Sequence, residues 1–205
     1  MTPAYWEQAT RELAASDEVM RKLTLRFHGT LLHSHGDAFS TLARSILGQQ
    51  ISVKAADSIW KKLIQTVGAV TPDAMLGAEQ AVLRGCGLSL RKTSYLQDLS
   101  MRFADGTLDA SVFHELDDEA LIEKLVRIKG VGRWTAEMFL IFHMLRPDVL
   151  PMDDLGLQRA LSMLYNSNEP VSRLKMRSIA RHWQPWRSVA TWYLWRSLDP
   201  IPVEY

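Results

Sequence analysis

Apolar residues recur at three- and four-residue spacing along most of this chain, the mark of helices with one buried face. Leu121, Ile122, Leu125 and Ile128 form one such stripe. The apolar positions from Arg91 to Phe103 form another, which ends near Gly106. No segment alternates apolar and polar positions for long, so no sheet is expected. Start and stop residues punctuate the pattern. Thr2-Pro3 reads as a helix start, with proline at the first helical position, and Ser16 as the cap of a second helix. Asp37 precedes AFSTLARSIL, which ends at Gly48, and Ser52 opens VKAADSIWKKLIQTV, closed by Gly68. Thr71-Pro72-Asp73 begins another helix. Asp117 and Asp118 fall in the first turn of the helix that carries the 121–128 stripe. Ser172 to Trp183 and Trp186 to Leu198 finish the chain, with Pro185 between them. The pattern predicts an all-α protein of about ten helices. A length of 205 residues fits one compact domain, or two lobes sharing a cleft, and residues 1–205 are read as a single domain of two helical lobes around a cleft.

The run from Leu125 to Arg159, LVRIKGVGRWTAEMFLIFHMLRPDVLPMDDLGLQR, combines two features. The first is a helix-hairpin-helix, spanning about 118–146. Gly130 and Gly132 allow backbone angles that other residues resist. The next helix starts near Arg133, and its first amides have no partner inside the helix. Exposed amides and the helix dipole suit a phosphate. Lys129, Gly130, Gly132, Arg133 and Thr135 are therefore the candidate phosphate contacts. Most helix turns with glycine are only turns, so the basic flanks and the paired glycines carry the functional reading. The second feature is the pair Asp153 and Asp154 at the start of a third helix. Such a pair is most often a plain cap.

Composition limits the options without choosing among them. The chain has 205 residues, 47% hydrophobic, with 24 Lys plus Arg against 23 Asp plus Glu. A nucleic-acid site would have to be a local basic patch, because net charge supplies none. The single cysteine, Cys86, excludes an internal disulfide and a cysteine-ligated iron–sulfur cluster. It also fits a reducing compartment. The N-terminal stretch is amphipathic and acidic, unlike a signal peptide, and no apolar run is long enough to span a membrane. His28, His33 and His35 cluster, but no metal-ligand spacing accompanies them, so no metal is expected. There is no Walker loop or dinucleotide fingerprint.

IKGVGRWTA, the loop RPDVLPMDDLGLQR, the upstream ILGQQISVKAA and the C-terminal HWQPWRSVATWYLW occur here in an order that resembles one group of proteins. That group is the helix-hairpin-helix DNA glycosylase superfamily, in its 3-methyladenine DNA glycosylase II branch. The resemblance spans roughly residues 37 to 198. Longer relatives carry an additional N-terminal β-rich domain, for which this chain is short.

The resemblance implies a monofunctional DNA glycosylase that flips out and hydrolyses alkylated, cationic purines such as 3-methyladenine and 7-methylguanine. Breaking the N-glycosidic bond develops positive charge on the sugar, which a fixed carboxylate stabilises. The family pattern puts that carboxylate at Asp154, leaving Asp153 to brace the loop or cap the helix. Relatives that also cut the strand use a hairpin lysine as a Schiff-base nucleophile. Here that position is Trp134, so no lyase activity is expected. Resemblance places Trp134 and Trp195 on the walls of the base pocket, where an aromatic face attracts a cationic ring. Met138 stands where the family often has an aromatic residue. Trp183, Trp186 and Trp192 read as core. Gln50 is assigned the plug that fills the vacated stack, although Gln49 and Gln50 also read as ordinary surface residues. Lys54, Arg91 and Lys92 are basic, and solvated charge is the commoner explanation for them.

The expected partner is double-stranded DNA containing alkylated bases, bound by a monomer with no membrane association. The location would be the cytoplasm or nucleoid of a prokaryote, or the nucleus of a eukaryote. No cofactor is expected, though the resemblance allows a loosely held monovalent cation on hairpin carbonyls. A non-catalytic helix-hairpin-helix module is the alternative from another class. A glycosylase for oxidised or mismatched bases is the nearer one.

Overall fold

A computed structural model describes residues 3–34 and 36–198. Thr2 of the expected first helix start and His35 of the histidine cluster lie outside the described residues. Among the described residues there is no strand, and the elements are helical throughout. In chain order they are α1 (Trp6–Ser16), α2 (Glu18–Arg26), α3 (Ala38–Gly48), α4 (Val53–Val67), α5 (Pro72–Gly77), α6 (Gln80–Gly85), α7 (Leu90–Ala104), α8 (Asp118–Leu125), α9 (Arg133–Phe142), α10 (Leu155–Tyr165), α11 (Arg173–Ala180) and α12 (Arg187–Leu198). Two 3-10 turns, Ala110–Glu115 and Arg181–Trp183, complete the set. The short α6 and the turn at 110–115 escaped the sequence pattern because six residues give less than two turns of periodicity.

Most of the expected starts are capped as their residue types dictate. Asp37, Ser52, Thr71, Asp117 and Ser172 each accept a hydrogen bond from a backbone N–H three residues on. Such a cap contributes about 1 kcal/mol. One boundary moves. Ser16 ends α1, and Asp17 caps α2 instead, its Oδ1 accepting from Val19 and Met20. A carboxylate has a second oxygen to give, and Asp17 Oδ2 also accepts from the Tyr165 hydroxyl at 2.8 Å and the Trp183 indole at 3.0 Å.

The chain divides into two compact units. Within the described residues, the first comprises 3–34 and 140–198, and the second 36–139. In the second unit, Leu42, Ala43, Ile46 and Leu47 of α3 share a core with Leu63, Met75, Leu83, Leu96 and Leu99. In the first unit, α12 is the central element. Every residue from Ser188 to Leu194 is buried, as expected of a helix covered on all sides. Trp6 packs edge-on against Trp192, their ring centroids 5.1 Å apart.

Candidate active site and DNA-binding hairpin

The hairpin begins where α8 ends. Ile128 and Val131 are buried, so the turn is anchored from both sides of Gly130. Gly130 has φ +83°, and a Cβ there would lie 2.2 Å from the Tyr95 ring. Only glycine satisfies both conditions. Gly132 is different. Its φ is not left-handed, and a Cβ there would meet nothing within 4 Å. The expectation that both glycines are needed for conformational freedom is therefore corrected to Gly130 alone.

Three side chains hold the turn from elsewhere in the same unit. Gln49 Nε2 donates to the Gly130 carbonyl at 2.8 Å. Asp98 Oδ2 accepts the Lys129 backbone N–H at 3.0 Å and Arg102 Nε at 2.9 Å. Burial works to raise the Asp98 pKa, but those two donors outweigh it and hold the carboxyl below its ordinary value. Tyr95 roofs the glycine, and its hydroxyl accepts from Arg91. These contacts were invisible in the sequence. Tyr95, Asp98 and Gln49 lie 31 to 81 residues from the positions they hold, as with Lys129 to Asp98 and Gly130 to Gln49, and no local pattern marks them.

The candidate phosphate contacts differ in availability. The Lys129 side chain is largely exposed, with Nζ 3.9 Å from Asp98. Thr135 is buried. Arg133 is bound by both oxygens of Glu119 and, at 3.1 Å, by Glu137. The Glu119 contact, above all, raises the pKa of the guanidinium, and its charge is already balanced locally. Lys92 Nζ donates to the Leu47 carbonyl at 2.7 Å. It therefore supports the C-terminus of α3, and desolvation lowers its pKa. Between α3 and α4, Gln50 is exposed and adopts φ +60°. A left-handed backbone is costly for a residue with a side chain, and such strain gathers at functional positions.

The acid corner belongs to the first unit. Asp154 is 8% exposed, whereas the Asp153 side chain is mostly exposed and ion-paired with Arg173. Asp154 Oδ1 accepts the Leu157 N–H at 2.6 Å and the Trp195 indole N–H at 2.7 Å. Asp154 is therefore itself the cap of α10, which corrects the assignment of capping to Asp153. The two roles share one carboxylate because a cap bond and an indole bond both end on Oδ1. Trp195 is half-buried, with Phe142 stacked on it at 5.6 Å and 11°.

The loop that delivers Asp154 is pinned along its length. Tyr5 donates to the carbonyl of Leu145, which has φ +53°. Arg187 forks onto the Asp148 carboxylate at 2.7 and 2.9 Å and also reaches the Asp148 carbonyl. Ser188 takes the Val149 N–H on its hydroxyl and gives its own N–H to Pro147. Thus the first turn of α12 holds the loop, and two turns later Trp195 holds its acid. Of the remaining tryptophans, Trp183 and Trp192 are core as expected. Trp186 is only half-buried, stacked on Tyr5 and bonded to Glu12. Trp134 stands in the first turn of α9 at 38% exposure, and Met138, one turn on, is buried.

Residues 43–185 match the sequence model of the HhH-GPD superfamily base excision DNA repair proteins. The chain is similar to a putative DNA-3-methyladenine glycosylase, YfjP, of Bacillus subtilis, with 28% identity over 83% of this chain. It spans 62% of that relative's length. It is also similar to the solved DNA-3-methyladenine glycosidase of Bacillus halodurans, with 32% identity and a TM-score of 0.85 over 93% of this chain and 89% of that one. A third likeness is to the Schizosaccharomyces pombe 3-methyladenine DNA glycosylase Mag1 in complex with abasic DNA. There the identity is 28% and the TM-score 0.80, over 96% of this chain and 100% of that one. A family match over more than half of the chain, with the hairpin and the anchored acid inside it, assigns this protein to the HhH-GPD superfamily of base excision DNA repair proteins.

Proposed function

We propose that this chain is a DNA glycosylase for alkylated purines in double-stranded DNA, releasing the base by hydrolysis without strand cleavage. The single observation that carries the reading is Asp154, a carboxylate shielded from water and oriented by a backbone N–H and an indole N–H. Mere DNA binding needs no such group. Placed beside the sugar, it would stabilise the cation that develops as the glycosidic bond breaks and orient the attacking water. Relatives of this chain are named for 3-methyladenine release, and one is solved on abasic DNA.

The hairpin serves phosphate through the backbone of Gly130 and Gly132 and the charge of Lys129. Arg133, balanced by two glutamates, contributes there only by exchanging partners. Gln50 enters the duplex as the base leaves. Trp134 and Trp195 are read as the aromatic residues that meet a cationic base, with Met138 as the third residue of the base pocket. Carbonyls keep a second lone pair beyond one hydrogen bond, so Ile128 and Gly130 could hold a monovalent cation that adds positive charge near the phosphate. With Trp134 in the Schiff-base position, no lyase step is expected.

The test is incubation with methylated duplex DNA, with released bases identified by mass spectrometry and the strand checked for breaks. Release of methylated purines from an unbroken strand is the expected result. No released base, with duplex binding intact, would leave a non-catalytic module. A protein–DNA adduct trapped by borohydride would overturn the hydrolytic mechanism.

A further inference from the structure

Gly156 is the second residue of α10, two positions after the acid in the run Asp154-Leu155-Gly156. Its φ lies outside the left-handed region, and alanine is the better helix former. On backbone grounds nothing requires glycine. The surroundings do. A Cβ at 156 would sit 3.1 Å from Asp154 Oδ1, 3.1 Å from Trp195 Cδ1 and 3.2 Å from Trp195 Nε1. Two of those atoms, Asp154 Oδ1 and Trp195 Nε1, form a hydrogen bond that orients the acid, and the third is the indole carbon next to Nε1. No other described glycine has a functional carboxylate against its missing Cβ.

We infer that Gly156 is a positioning residue for the glycosylase reaction: the absent side chain is the space in which the Asp154 carboxylate and the Trp195 indole meet. The inference rests on the reading of Asp154 given above. A Cβ at this position must push one partner back by a few tenths of an ångström. The carboxylate is held by the Leu157 N–H and the indole by Phe142. Neither can withdraw without turning the acid or lengthening the bond. A reacting geometry displaced by a fraction of an ångström loses rate steeply.

The experiment compares Gly156→Ala with the unaltered protein, using Gly77→Ala as a control glycine whose Cβ meets nothing. Three quantities are measured: the melting temperature, single-turnover release of 7-methylguanine from duplex DNA, and the Trp195 indole N–H resonance, assigned by its loss in Trp195→Phe. Gly156→Ala should melt at or above the original temperature, shift the Trp195 resonance and release base about tenfold more slowly. Gly77→Ala should change neither resonance nor rate. A large fall in melting temperature would make Gly156 a structural residue and overturn the inference. So would an unshifted resonance, or a shifted one with an unchanged rate. Asp154→Asn in the same assay separates the two claims: if it releases base normally, the reading of Asp154 has failed before Gly156 is considered.

Discussion

The hairpin and the acid corner are built by opposite means. In the hairpin, the proposed phosphate contacts are backbone amides and the charge of Lys129, and Gln49, after α3, and Asp98 of α7 fix the path of the chain. In the acid corner, the proposed functional group is a side chain, the Asp154 carboxylate, which accepts from Trp195, 41 residues away. A backbone site tolerates change in most of its residues but not at the glycine whose φ it requires. A side-chain site tolerates little change in either partner, since each supplies half of the geometry. Binding and chemistry should therefore fail through different substitutions.

The largest expected break in that contrast is at the acid. Asp154→Asn should lower single-turnover base release by about 100-fold or more, while leaving affinity for lesion duplex nearly unchanged, because the lost charge acts in the transition state. Asparagine still caps α10, so the fold should survive. Asp153→Asn should lose only an exposed ion pair with Arg173 and remain active. If Asp153→Asn were inert and Asp154→Asn active, the assignment would be wrong by one residue.

Next comes the bond between the two halves of the corner. Trp195→Phe keeps a ring against Phe142 but removes the N–H given to Asp154. A hydrogen bond to a charged group is worth about 1.5–3 kcal/mol. By transition-state arithmetic that is roughly 10- to 100-fold in kcat, with KM moving less. An equal loss in KM with kcat preserved would make Trp195 a binding surface only.

The hairpin should respond in affinity and stability instead. Gly130→Ala forces a left-handed residue against Tyr95 and should cost about 1–3 kcal/mol. It should weaken binding to damaged and undamaged duplex alike, since phosphates position without specifying sequence. Gly132→Ala should melt like the original protein. Titration of both variants against the two duplexes, at two salt concentrations, checks this. Selective loss of lesion preference would contradict the assignment.

Gln50→Ala should have a smaller effect, confined to one substrate. Excision should slow in duplex DNA and much less in single strands, where no stacked partner has to be displaced. Equal slowing of both would make Gln50 a structural residue.

The smallest effect concerns pH. The Asp98 carboxyl is held below its ordinary value in the fold. Its contribution is therefore present above the unfolded carboxylate pKa of about 3.9 and is lost as pH falls through the lower folded value. Melting curves between about pH 5 and pH 2.5 should show Asp98→Asn losing less stability on acidification than the original chain. Parallel curves would remove Asp98 from the hairpin's support.

Local chemistry made the helices, their caps and the hairpin legible in the sequence. A cap depends on a residue and a backbone N–H two or three positions on, and a helix stripe on neighbours three or four apart. Asp37, Ser52 and Asp117 could thus be read directly, as could the turn at Gly130. The folded structure decided which of two adjacent aspartates is oriented and shielded, and that one carboxylate both caps α10 and accepts the Trp195 indole. It also decided that Gly132 is free of the constraint on Gly130, that Arg133 is balanced by two glutamates, and that Gly156 leaves room for two other side chains. Several of those facts depend on groups far apart in the chain, 14 residues for Arg133 to Glu119 and 41 for Asp154 to Trp195. Distance in sequence carries no information about such meetings, because they are set by how helices pack and not by what any one helix contains.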